Sequence, residues 1–267
     1  MDINRKSSPH EKGLLMGTYE QHALSGRVCL VTGGSSGIGA ACCLLLAQAG
    51  AKVIVGYNNG HDRAAVVLAT LPGQGHTLQR LSLTDTASHP EIAESIRQRY
   101  GQLNLLVNSA GFTKKVDHKD LDTLDPDLFS TVLQGNVVGT YSIIRSLLPL
   151  LATSDEALVV TISSIAGFTG GGSNMAYAAS KAALDILSVS LAKAFGPQVR
   201  FLSISAGSVD TGFVANRTRE QLQARASETP LGKIIKPQDI AESVFACATL
   251  FKAATGAKLV VDGGQCL

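Results

Sequence analysis

The sequence predicts an α/β fold, a doubly wound sheet of about seven parallel strands with helices on both faces. From Arg27 onward, short Val-, Ile- or Leu-rich runs alternate with longer stretches of helical periodicity. Most of those runs are apolar on both faces, as expected of strands covered by helices on either side. The first run, its turn, a helix and the second run fit within about 30 residues, the minimum size of a βαβ unit. At 267 residues and 45% apolar content, the chain can fill one core, and no linker or repeat divides it. Residues 25–267 are expected to form a single domain. The segment 1–24 reads as a mobile extension, since it has no apolar stretch of the kind a secretory signal needs.

The strands are expected at 28–31, 52–55, 76–81, 103–107, 157–162, 199–204 and 258–261. The first helix follows from residue 36 or 37 to 49, closed by Gly50. Asp62 is placed to cap a helix over 63–71, and Asp125 with Pro126 starts a long helix towards Leu151. Another amphipathic helix carries Tyr177 near its start and ends at about Phe195. The polar stretch 211–236, rich in Arg, Glu and Gln, reads as a lid.

Charge and composition exclude several functions. With 23 Lys plus Arg against 21 Asp plus Glu, the net charge of +2 gives no basic field for a nucleic-acid partner. The longest uninterrupted apolar stretch, 40–47, falls well short of a membrane span, so no membrane partner is expected. Five cysteines without a C-x-x-C pair do not form a disulfide framework and fit a reducing, cytoplasmic setting. No His or Cys pair has metal-ligand spacing.

Thr32 leads into Gly33-Gly34-Ser35-Ser36-Gly37-Ile38-Gly39, with a strand before it and a helix beginning inside it. Glycines there permit tight backbone and let a pyrophosphate approach the helix N-terminus, where unpaired N–H groups attract anions. A triphosphate-binding loop would need Gly-Lys-Ser/Thr, but Ala40 and Ala41 follow Gly39. The same residues match the G-x-S-x-G nucleophile elbow, which requires a late histidine. The last of the six histidines is His118, so that general base is missing.

Tyr177 and Lys181 are four residues apart, hence on one helical face, where an ammonium favours the phenolate and eases proton exchange. The fifth strand ends at Ser163-Ser164. In a doubly wound sheet the C-terminal strand ends face the ligand crevice, where the Ser164 hydroxyl could bond a carbonyl oxygen that gains charge.

Together these residues resemble the short-chain dehydrogenase/reductase family in its single-domain branch, over roughly 24–267. The glycine-rich turn is similar to that family's cofactor turn, Asn108-Ser109-Ala110-Gly111 to its Asn-Asn-Ala-Gly segment, and Asn136, Ser164, Tyr177 and Lys181 match its four catalytic positions in order and spacing. The ending from Gly256 to Gly264 is also similar. The resemblance implies a Rossmann-type catalytic domain, a homotetramer or homodimer, and hydride transfer between a nicotinamide cofactor and a ketone or secondary alcohol. Carried over by position, Tyr177 is the general acid or base and Ser164 orients the carbonyl. Lys181 lowers the Tyr177 pKa and holds the nicotinamide ribose, and Asn136 supports a water-mediated proton relay. Cofactor contacts fall on Gly33, Ser35, Ser36, Gly37, Ile38, Gly39, Tyr57, Asn58, Ser82, Leu83, Asn108, Ala110, Gly111, Val209 and Thr211, with Tyr177 and Lys181.

Three positions depart from the pattern. Ser82 replaces an Asp beside the adenine, Ser109 replaces an Asn, and Ala206-Gly207 replaces Pro-Gly, which is expected to loosen the backbone before Ser208. Where an acidic side chain would read the ribose 2′-OH, the chain has Tyr57-Asn58-Asn59. NADP(H) is therefore expected over NAD(H), with His61 or Arg63 adding charge; if Tyr57 only packs on adenine, either cofactor is accepted. Lys114, Lys115, His118 and Lys119, with Arg217, Arg219 and Arg225, would make a basic entrance suited to a carboxylate or phosphopantetheine thioester. The general look is nearest to 3-oxoacyl-thioester reductases, and sugar, steroid, polyol and quinone-like substrates stay open. A cofactor-binding regulator without chemistry would be expected to lose Tyr177 or Lys181, and both are present.

Overall fold

The computed structural model describes residues 22–214 and 218–267. Most of the expected extension, 1–21, and Arg217 of the expected lid lie outside the described residues. Seven strands form one parallel sheet in the order β3-β2-β1-β4-β5-β6-β7. They are β1 (Val28–Thr32), β2 (Lys52–Tyr57), β3 (Thr77–Arg80), β4 (Leu105–Asn108), β5 (Ala157–Ser164), β6 (Val199–Ala206) and β7 (Lys258–Val261). Between them run α1 (Gly37–Gln48), α2 (His61–Thr70), α3 (His89–Tyr100), α4 (Pro126–Leu133), α5 (Thr140–Ala152), α6 (Ala166–Thr169), α7 (Met175–Phe195), α8 (Arg219–Ser227) and α9 (Pro237–Thr249).

The strand side chains feed two apolar layers. Along β1, Cys29 and Val31 join the layer with Cys42, Leu46, Ile240 and Val244 of α1 and α9, whereas Val28 and Leu30 join that of α3, α5 and the C-terminal part of α7. Alternation of successive side chains across a sheet buried on both sides is what makes each strand read as an unbroken apolar run. By length and composition α7 would pass for a membrane span. Here it packs on β5 and β6, which accounts for its apolar character.

The strand ends differ from the apolar runs where polar groups take part in the sheet. β5 and β6 pair as far as Ser164 and Ala206, with Ser163 and Ser205 buried among the paired residues. Strand β3 is shorter than 76–81, since the His76 side chain, through Nδ1, accepts from the Val53 amide at 3.0 Å. β4 starts at Leu105 rather than 103; the Asn104 side chain accepts from the Val28 amide at 2.9 Å. At Ala206-Gly207 the Ala206 C=O accepts from Ile165 N and the Gly207 amide donates to Val261 C=O, each at 3.0 Å.

Two helix starts were expected from acidic caps, with different outcomes. The Asp125 side chain accepts from the Leu128 amide at 2.7 Å and caps α4, with Pro126 at the first helical position. Asp62 is not a cap. Helix α2 begins two residues earlier than expected, after Gly60, leaving Asp62 exposed in its first turn. The long helix from Pro126 to Ala152 contains a π-helical turn over Gln134–Gly139, which periodicity did not indicate.

Asp125→Ala is expected to lower the urea midpoint by the equivalent of about 1 kcal/mol, the ordinary worth of an N-cap. Asp62→Ala should shift it by less than half as much, and equal losses would contradict this difference in capping.

Candidate active site

The site forms where β1 has its neighbours β2 and β4 on opposite sides. The chains leaving β1 and β4 diverge to opposite faces there and open a crevice at the strand ends. The β1–α1 turn needs its glycines. Gly33 has φ +66°, and a Cβ on it would stand 2.9 Å from the Ala110 Cα; one on Gly39 would stand 2.2 Å from the Gly33 carbonyl oxygen. Ser36 precedes α1 with no side-chain cap, and the first turn holds no acidic residue, so an anion can approach those N–H groups.

Two hollows meet at Gly111. The first, about 620 Å³, is lined by Ile38, Ser164, Tyr177, Lys181, Val209 and Thr211 among others. The second, about 420 Å³, is lined by Gly33, Ser35, Ser36, Asn58, Asn59, Arg63, Ser82, Leu83 and Ala110. Most expected site residues thus line one continuous groove. Five line neither hollow: Gly37, Gly39, Tyr57, Asn108 and Asn136. Tyr57 packs edge-on to His61 with ring centroids 5.4 Å apart, so the two asparagines, not the tyrosine, face the smaller hollow. Asn108 is buried, and its Oδ1 has no partner among the described residues.

Asn136 lies in the π-helical turn. Its Oδ1 accepts from the Phe112 amide at 2.7 Å, and its Nδ2 donates to Phe112 C=O at 2.9 Å and to Ser180 Oγ at 3.1 Å. Two of these three bonds hold the backbone next to Gly111, and the third ties Asn136 to α7. Thr32 holds the other end of that segment, its Oγ1 accepting from the Ser109 and Ala110 amides, both at 3.1 Å.

Tyr177 and Lys181 sit in the first two turns of α7. Asn174 sets their start, accepting from the Tyr177 amide at 2.7 Å and donating to Lys114 C=O at 2.6 Å, which ties the helix to the loop after β4. This residue was missed, although an asparagine just before an apolar helix is a readable cap signal. Phe213 was missed too; its ring centroid is 5.9 Å from that of Tyr177, a contact between distant segments.

Lys181 Nζ donates to Ile162 C=O at 2.8 Å and lies 5.6 Å from the centre of the Tyr177 ring. Burial pulls the Lys181 pKa down to about 8, against the opposing pull of Asp185 one turn further on. Ser164 Oγ accepts from the Ala166 amide at 3.2 Å, a local turn bond that leaves its O–H free to donate into the cleft. The expected basic entrance is mostly absent: Lys114, Lys115, His118 and Lys119 do not line the cleft, and Arg219 pairs with Asp210 at 3.2 Å. Only Arg225 of that set faces it among the described residues.

Residues 33–265 match the family described as enoyl-(acyl carrier protein) reductase. The chain is a short-chain dehydrogenase/reductase. It is 31% identical over 249 residues to 3-oxoacyl-(acyl-carrier-protein) reductase of Thermotoga maritima, covering 90% of this chain and 98% of that one. It is 32% identical over 244 residues to 2,5-dichloro-2,5-cyclohexadiene-1,4-diol dehydrogenase of Sphingobium indicum, covering 90% and 96%. A short-chain dehydrogenase from Burkholderia cenocepacia, solved in complex with NADP, superposes with a TM-score of 0.84 at 28% identity, covering 92% of this chain and all of that one. Membership makes the protein an NAD(P)-dependent oxidoreductase of CH–OH and keto groups, on a Rossmann-type sheet.

The buried lysine gives a signature in the free protein. Its folded pKa of about 8 lies below the ordinary 10.5, so between those values the unfolded chain binds more protons and stability rises with pH. Below pH 8 the cost of the buried charge is fully present. Comparing urea midpoints, the stability of wild type relative to Lys181→Met is expected to improve from pH 8 to pH 10.5. A difference that stays flat across that window would reject a buried charged Lys181.

Proposed function

We propose that this enzyme transfers a hydride between NADP(H) and a ketone or secondary alcohol, with Tyr177 as the general acid in reduction and the general base in oxidation. The observation that carries it is the close approach of the buried Lys181 ammonium to the Tyr177 ring in a cleft that also holds Ser164. The residues fit the cofactor: the uncapped α1 terminus and glycine turn suit a pyrophosphate, and the smaller hollow continues from them towards Asn58, Asn59 and Ser82. When bound, the nicotinamide supplies the hydride for the carbonyl carbon in reduction and accepts it in oxidation.

The chain's own part is proton transfer and positioning. Tyr177 gives its proton to the carbonyl oxygen as charge develops there, and Ser164 donates a hydrogen bond to the same oxygen. Lys181 stabilises the phenolate that remains and is placed to hold the nicotinamide ribose. Asn136 holds the Gly111–Phe112 backbone beside the reacting groups; its part in a proton relay is carried over from the family pattern.

Preference for NADP(H) is supported by Arg63. Its guanidinium folds back over Gly60, where a Cβ would stand 2.5 Å from Nη2, and it lines the smaller hollow beside Asn58 and Asn59. A cation at the positive end of α2 is poorly placed for the helix and well placed for a 2′-phosphate. The thioester-reductase names of several relatives favour a 3-oxoacyl thioester as substrate. The diol and hydroxycyclohexanecarboxylate dehydrogenases among the relatives support a second reading as a cyclic-alcohol dehydrogenase. A homotetramer or homodimer in the cytoplasm completes the proposal.

NADPH oxidation with acetoacetyl-CoA tests it. Tyr177→Phe is expected to lose about 10²–10⁴-fold in kcat while still binding NADPH; unchanged turnover would overturn the assignment. Arg63→Ala should weaken NADPH binding about tenfold and leave NADH binding unchanged, a loss of roughly 1.4 kcal/mol. Equal weakening of both cofactors would remove the 2′-phosphate role.

A further inference from the structure

One charged group in the cleft is not used by the chemistry above. Arg225, on α8, lines the same hollow as Tyr177, Ser164 and Lys181. Its Nη1 donates to Ser208 Oγ at 3.3 Å. No carboxylate pairs with it among the described residues. Asp210 already takes Arg219. Glu228, three residues on, also lines the hollow and makes no ion pair with Arg225.

The other cation there, Lys181, spends a proton on Ile162 C=O and is committed to the tyrosine. Arg225 is thus a guanidinium with donors to spare at the wall of the substrate cleft. Arg225 is exposed at the cleft wall, so an anionic group on a substrate in the hollow can pair with its remaining donors without the full cost of burying the charge. We propose that Arg225 anchors an anionic group, carboxylate or phosphate, on the carbonyl substrate and so sets substrate choice. This inference rests on the cleft being the ketone site of the proposed function.

Arg225 could instead only dock α8, so the experiment separates charge recognition from docking. Wild type, Arg225→Ala, Arg225→Lys and Arg219→Ala are compared with acetoacetate, acetoacetyl-phosphopantetheine and the neutral ethyl acetoacetate. Binding is read by calorimetry with and without NADPH, alongside NADPH oxidation. Arg225→Ala is expected to reduce the preference for an anionic over the neutral ligand by about tenfold or more, the scale of a charge-assisted bond. Arg225→Lys should restore part of it, and Arg219→Ala should leave it unchanged. The loss falls on acetoacetate if the anion is a carboxylate near the ketone, and on the phosphopantetheine thioester if it is the phosphate.

A preference that is absent in wild type, survives Arg225→Ala, or falls equally in Arg219→Ala overturns the inference. Loss of NADPH binding with the Arg225-dependent preference intact would instead retire the cofactor reading.

Discussion

The position of β1 between β2 and β4 is the constraint on which the site depends. Because right-handed crossovers lead to opposite faces from these two sides, no chain crosses the C-terminal ends of β1 and β4, and a crevice is left there. Everything that lines it is a strand end or the turn that follows. The close approach of Gly33 to Ala110 brings together the turns that follow the paired strands β1 and β4.

Polar side chains brace that crevice by bonding backbone groups of the turns that border it. Thr32 and Asn136 hold the two ends of the segment 109–112, and Asn174 fixes both the start of α7 and the loop after β4. The candidate catalytic side chains are then placed largely by secondary structure. Tyr177 and Lys181 follow from one turn of helix, and Ser164 from the end of β5. Burial of Lys181 is the electrostatic cost of this arrangement; the Ile162 carbonyl and Asp185 offset part of it.

Much of this was readable beforehand because it is local. The strands are apolar on both sides since both layers need them, and Asp125-Pro126 started a helix as its capping chemistry requires. Where reading stopped short, the cause differed from element to element. Strand β3 lost His76 to a side-chain bond with β2, Asp62 was displaced from its cap by an earlier helix start, and β6 ran on through Ser205 to Ala206, past the end of its apolar run. The π-helical turn around Asn136 has no signature in hydrophobic period.

Residue order and spacing were sufficient for the fold class, the glycine-rich turn, the Tyr177–Lys181 pair and the candidate role of Ser164, since each depends on neighbours within a few positions. The direction of the charged side chains was not available in that way. Arg63 and Arg225 face the groove, while Lys114, Lys115 and Lys119 do not line the cleft, and Arg219 is paired with Asp210. Those outcomes follow from how helices and loops far apart in the chain pack around the strand ends, and a run of charges carries no record of that packing.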